Sequence, residues 1–314
     1  MDTGTVRYDL RKSAWFGSIT LVALIAGPRT ITPGALALFA LTTGLTLCAG
    51  HSVGIHRGLI HRSYRVPLWL ERTLAYLGSL VGLGDPIGLL AMHNTRDAQQ
   101  NERACHDYFA HRQVWWRDYF WNLHCRFEFD GDFTPRWDAR VQSDAVYRFL
   151  ARTWRWQQLP WALAFYMMGR VSWLVWGTFV RIAVSTTGHW LVGHVTHREG
   201  EQRFVNAGSA VQGFNSQLFG AISMGEGWHN NHHTYPRSAQ MGLEPGQLDL
   251  GWLFIRALER MGLAREVRTA NIETRAHGAL RLGGRHMASA PNRESEQLFE
   301  ARFADTTGRR TPRA

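Results

Sequence analysis

The chain has 314 residues and a formal net charge of +10, carried almost wholly by arginine, with Lys12 the only lysine. Three cysteines (Cys48, Cys105, Cys125) without a CxxC spacing speak against a disulfide framework and fit reduced thiols in a cytoplasmic setting. No nucleic-acid-binding motif accompanies the basic charge, which leaves anionic headgroups or acidic partners as its counterpart.

Hydrophobic residues make up 45% of the chain, yet mean hydropathy is −0.25, because the apolar residues are clustered. The polar start MDTGTVRYDLRK does not read as a cleavable signal peptide. AWFGSITLVALIA (14–26) and ALALFALTTGLTLCAG (35–50), joined by GPRTITPG, read as a membrane hairpin. TLAYLGSLVGLGDPIGLLAM (73–92), broken by Asp85-Pro86, reads as helices at the membrane surface. A polar, Arg-rich region follows to about Trp156. LPWALAFYMM (159–168) and VSWLVWGTFVRIAVSTTGHWLV (171–192) form a second apolar pair, with Trp154, Trp156 and Trp161 placed for an interfacial belt. The fold class expected is an all-α integral membrane protein, with about four transmembrane helices in two hairpins and a helical cap. Arginine bias places the N-terminus, the 51–156 loop and the C-terminus on the cytoplasmic side. Residues 1–268 form one domain, and 269–314 read as a polar, flexible tail.

Thirteen of the fifteen histidines fall in four groups, at 51–61, 93–124, 189–197 and 229–233, each at the end of an apolar run or in the polar loop. Imidazole suits iron, copper or zinc. On a helix, HxxHH aims His229, His232 and His233 into a sector about 100° wide. His56 and His61, five apart, lie about 140° around an ideal α-helix and would flank a cavity. Gly50, Gly54 and Gly58 beside them form a small-residue stripe for close helix packing. More imidazoles than one ion needs imply two ions. A metal transporter would carry its ligands inside the bilayer. Here they sit at the ends of the spans, which favours an enzyme acting on a molecule in the membrane over a metal-handling protein.

HRGLIHRSY (56–64) resembles the first histidine box of the membrane fatty acid desaturases of the acyl-CoA delta-9 type, HRxxxHRSY. GEGWHNNHHTYP (225–236) resembles their third box, and HWLVGHVTH (189–197) their WLVNSxxH element. The similarity runs through about residues 14–268. The second box departs from HRxHH: HNTRD (93–97) keeps His93 but has Arg96 and Asp97 at the two later histidine positions, while Gly193 and His194 stand at the Asn and Ser of WLVNSxxH.

The resemblance implies a fatty acyl desaturase with two iron ions, using dioxygen and two external electrons to introduce a cis double bond. The alternatives are a fatty acyl or lipid hydroxylase of the same fold, or a non-catalytic metal-binding membrane protein. It implies His56, His61, His93, His197, His229, His232 and His233 as ligands, with Asp97, His194, His106 and His124 as further candidates. Arg96 cannot ligate a cation. Arg57, Arg62 and Arg112 are candidate anchors for an acidic headgroup. The acyl chain is borne by CoA, a carrier protein or a lipid. No flavin, nicotinamide or iron–sulfur motif is present, so a separate donor such as a ferredoxin or b-type cytochrome is expected. A bacterial-type plasma membrane is the expected location.

Overall fold

The structure is a computed structural model, and it describes residues 4–131, 138–271, 275–276, 279–290, 296–298 and 300–301. Strand β1 (Gly4–Tyr8) leads into helix α1 (Leu10–Ala26), which opens with the Asp9 carboxylate accepting from Lys12 N. After the turn, Thr32 caps α2 (Pro33–Leu45), with Pro33 in the first turn where its missing N–H costs nothing. The helix runs on without a break into a π-wound segment, Thr46–Ile60. Pro33–Ile60 is, among the described residues, the one helix that is long and apolar enough to cross a membrane by length and composition.

Helix α3 (Leu68–Ser79) lies against this π segment at backbone distance. A Cβ added at Gly50 would sit 2.4 Å from Gly78 N, and one at Gly54 2.7 Å from Leu74 C. The small-residue stripe therefore works as a packing surface. Asp85 ends the first half of the 73–92 run and caps α4 (Pro86–Gln100) by accepting from Ile87 N and Gly88 N.

The polar region folds into α5 (Asp107–Ala110), α6 (Trp115–His124), β2 (Cys125–Phe129), α7 (Ala139–Ser143) and α8 (Ala145–Thr153). Strand β2 pairs antiparallel with β1, with Arg7 opposite Arg126, and so ties the N-terminus to this region. Helix α9 (Gln158–Leu174) leaves helical geometry at Gly169 and Arg170. It then passes through a π turn (Val175–Val180) into α10 (Arg181–Thr196). Arg181, buried inside an apolar run, is satisfied by Gly177 O at 2.7 Å, Gln158 Oε1 at 2.6 Å and Leu80 O.

The chain closes with β3 (Glu199–Asn206), α11 (Gln217–Ile222), α12 (His229–Thr234), α13 (Leu250–Arg260) and β4 (Ala279–Ser289). Strand β4 pairs antiparallel with β3, a segment of structure within the stretch read from sequence as a tail. The protein is mostly helical, and two small two-stranded sheets among the described residues add to the all-α expectation. Core clusters flank the π segment, one against α3 and α13, the other through Ile55, Leu59, Leu89 and Tyr147. Leu21 and Leu24 of α1, Leu41 and Leu45 of α2, and Leu163 and Met167 of α9 are exposed.

Candidate metal centre

Helix α12 has six residues, too short to hold itself. The two asparagines of GWHNNHHTYP fix it. Asn230 Oδ1 accepts from Arg203 N and Phe204 N at 2.9 Å, while its Nδ2 donates to Phe204 O and Gly213 O. Asn231 Nδ2 donates to Met241 O and Gln247 Oε1, and Trp228 Nε1 donates to Leu248 O.

The three histidines thus fixed are shared between two clusters. His232 joins His56, His61 and His93; His229 and His233 join His197. In the first set His56 Nε2 lies 3.1 Å from both His93 Nε2 and His61 Nε2. In the second, His229 Nε2 lies 3.1 Å from both His197 Nε2 and His233 Nε2. Metal–imidazole bonds of about 2.0–2.1 Å put adjacent ligand nitrogens about 3 Å apart, so the spacing fits an ion at each cluster.

His56 and His61 do not flank a cavity from separate ridges, as α-helical winding predicts. The segment is π-wound, with His61 N bonded to His56 O at 3.0 Å, and i→i+5 winding brings residues five apart onto one side. Likewise the HxxHH sector splits: His229 and His233, one turn apart, face one set, and His232 faces the other.

The far sides of two rings, His56 and His197, are hydrogen-bonded as well, and a carboxylate stands near a third. Glu226 Oε2 takes His56 Nδ1 at 2.5 Å while Oε1 accepts from Ser52 Oγ. Asp97 Oδ2 lies 3.3 Å from His93 Nδ1. His197 Nδ1 sits 3.1 Å from Gln212 O. A partner at Nδ1 fixes the tautomer that leaves Nε2 as a lone-pair donor. Burial, reinforced by neighbouring imidazoles, holds His197, His229 and His232 well below the ordinary imidazole value, and burial brings His233 to about 4. For Glu226, burial pushes the carboxyl up, but His56 and Arg57 outweigh it and hold it well below the carboxylate range.

The other sequence candidates lie elsewhere. Asp97 sits behind His93. His194 is turned to Asp118, whose Oδ2 accepts from His194 Nδ1 and His111 Nδ1 at 2.8 Å and from Trp190 Nε1 at 2.7 Å. His111, Asp118 and His194 thus form a third group close enough to hold an ion, here joined as a hydrogen-bond hub on one Asp118 oxygen. Burial pushes the Asp118 carboxyl up, but the two imidazole donors hold it well below its usual range. His106 caps α5 through Tyr108 N, and His124 pairs with Ser13 Oγ at 2.7 Å.

Arg57 is fully buried, pairing with Asp249 at 2.9 Å and lying 3.7 Å from Glu226, so it cannot meet a headgroup at the surface. Arg62 is paired with Asp138, and Arg112 is exposed. Arg96 donates to Asn122 Oδ1 at 3.2 Å. Sequence reasoning passed over Glu226 and Asp118. Glu226 stands within the quoted GEGWH motif, three residues before His229, and that was its available signal.

Both clusters line one cavity of about 360 Å³, whose remaining wall includes Leu47, Ile55, Leu89, Val184, Val192 and Phe219. Its lining is largely apolar and includes six of the seven clustered imidazoles.

No protein-family model matches the chain. It is 31% identical over 265 residues to the sn-2 palmitoyl-lipid 9-desaturase of Nostoc sp. (strain 36), covering 84% of this chain and 92% of that one. It is 34% identical over 239 residues to the sn-1 stearoyl-lipid 9-desaturase of Anabaena variabilis, covering 76% and 84%. To an acyl-CoA 5-desaturase of Anemone leveillei it is 30% identical over 249 residues, covering 79% and 76%. Together with the histidine clusters, these relatives define an oxidoreductase of lipid metabolism. The chain belongs to the fatty acid desaturase family.

Proposed function

We propose that this desaturase holds two iron ions, one at His56, His61, His93 and His232 and one at His197, His229 and His233. On this reading it inserts a cis double bond into a fatty acyl chain lying in the cavity. The observation that carries the reading is the pair of imidazole clusters on the wall of one largely apolar cavity. Bound there, an iron pair supplies the oxidising power toward an unactivated C–H bond that no side chain has. Overall, dioxygen takes two electrons and two protons from a CH2–CH2 unit, and two more of each from outside, leaving a double bond and two waters. The chain's own residues do the rest. Leu47, Ile55, Leu89 and Val192 receive a flexible apolar rod and exclude water. Glu226 and Gln212 O hold the His56 and His197 rings, and Asp97 stands beside His93.

A donor outside the chain, a ferredoxin or a b-type cytochrome with its reductase, supplies the electrons, and the basic polar region suits an acidic partner. Four crossings, formed by α1, by α2 with its π segment, and by the two halves of the α9–α10 run, accord with the outward apolar residues of α1, α2 and α9. The arginine-rich region and both termini then face the cytoplasm.

Expression in a host lacking unsaturated fatty acids, with lipid and acyl-CoA profiling, tests the reaction. Loss of two hydrogens from the acyl chain is the expected product. Gain of one oxygen would instead make the protein a hydroxylase. Iron analysis of the purified protein is expected to give two ions per chain, and none would sink the reading.

A further inference from the structure

The two clusters are unequal, one with four imidazoles and the other with three. Helix α4 supplies His93 to the first. Toward the second, the same helix offers Arg96, a cation without a lone pair, and Gly193 on α10 offers no side chain. One turn beyond Arg96, still on the face that carries His93, stands Gln100. It is 1% exposed and lines the cavity. Its Nε2 lies 3.2 Å from His197 Nε2, so the amide stands directly beside the second set. The same Nε2 donates to Phe109 O at 2.9 Å, which fixes the amide and leaves Oε1 as its free end. Oε1 is buried and has no hydrogen-bond partner. A buried amide oxygen left unpaired is destabilising unless something else takes its lone pairs.

We infer that Gln100 Oε1 is the fourth protein ligand of the ion at His197, His229 and His233. The inference rests on the two-ion reading above. A neutral amide oxygen carries lone pairs that a cation accepts, so the second site becomes three nitrogens and one oxygen beside the four-nitrogen first site. The backbone supports the position, since Gln100 O accepts from Val211 N and Ser209 Oγ at 3.1 Å.

The test is iron content and Mössbauer spectra of the full-length iron-loaded protein. Wild type is expected to hold two irons in distinct environments. Gln100→Leu should bind the second ion at least about tenfold more weakly and retain the first with its spectrum unchanged. Gln100→Glu keeps an oxygen donor, and it should retain both irons with only one spectral component shifted. A packing role predicts the reverse order, because Glu has no N–H for Phe109 O and Leu fills the space.

His111→Phe is the companion variant. The His111 ring lies parallel to His197 with 5.7 Å between centroids, and its Nε2 is also unpartnered, but its place is on Asp118. It should retain two irons. Two irons with an unchanged spectrum in Gln100→Leu would overturn the assignment and leave the two-ion reading standing. So would loss of an ion in Gln100→Glu but not in Gln100→Leu, or loss in His111→Phe alone. Fewer than two irons in wild type would remove the reading on which the assignment rests.

Discussion

The four-histidine and three-histidine clusters share helix α12 and one cavity wall, yet they are finished differently. The first has an imidazole from each of four positions on three elements, and carboxylates stand behind two of its rings. The second has three imidazoles backed by a backbone carbonyl at His197, with Arg96 and Gly193 standing nearby where neither can ligate. In the divergent HNTRD box His93 faces the four-histidine set, while Arg96, which cannot ligate, stands where the three-histidine set would take a further side chain.

The largest effects come from dividing the HxxHH helix. His232→Ala should empty the four-histidine site and leave the other, and His229→Ala should do the opposite. Each is expected to lower iron from two per chain to one and product formation by more than about 100-fold, since even outer partners of metal ligands cost 10–100-fold. Iron analysis alongside lipid profiling checks both. If either variant kept both ions, the division into two sets would be broken.

Chelation separates the sites by affinity. In a stepwise titration with a chelator, the three-histidine site should release its ion first, giving two phases. Thermal stability should fall at each step, because an ion present at 100 times its dissociation constant adds about 2.7 kcal/mol to the folded state. A single phase would mean that the two clusters behave as one.

The seven clustered histidines were legible because the boxes quote them directly, and the apolar runs marked α1, α2, α9 and α10. Their allotment was not legible. A sequence carries no sign that Thr46–Ile60 winds as a π-helix, and that winding is what sets His61 beside His56. Gln100, Glu226 and Asp118 were hidden for another reason. Their importance lies in what they face across the fold: His197, His56, and the His111–His194 pair. Arg57 misled as a headgroup anchor because an arginine next to a box looks solvated until Asp249, far along the chain, is seen to bury with it. Strand β4 was missed because its polar composition resembles a tail, and its partner β3 is distant in sequence.

Glu226→Gln probes the stronger of the two carboxylate supports. Glu226 serves His56 and Ser52 with separate oxygens, and an amide offers only one acceptor to the pair. The expected loss is about 10–100-fold in iron affinity at the four-histidine site, with the second site unchanged. Equal loss at both sites, measured by competition with a chelator, would mean that Glu226 supports the fold instead of His56.

Asp97→Asn should have the smallest effect, and it decides the role of the altered box. If Asp97 replaced a missing imidazole as a ligand, its removal would cost an ion. Its carboxylate instead lies 3.3 Å from His93 Nδ1, on the far side of the ring from the Nε2 that faces His56, and its side chain is 43% exposed against 16% for Glu226. Solvent screens a contact this open, and the support it gives is correspondingly weak. Iron should remain at two per chain, with affinity at the four-histidine site lowered by only about two- to fivefold, below the range for buried outer partners. Outright loss of one iron would make Asp97 a ligand, and the distinction between a site finished by imidazoles and one finished by an amide would then have to be redrawn around it.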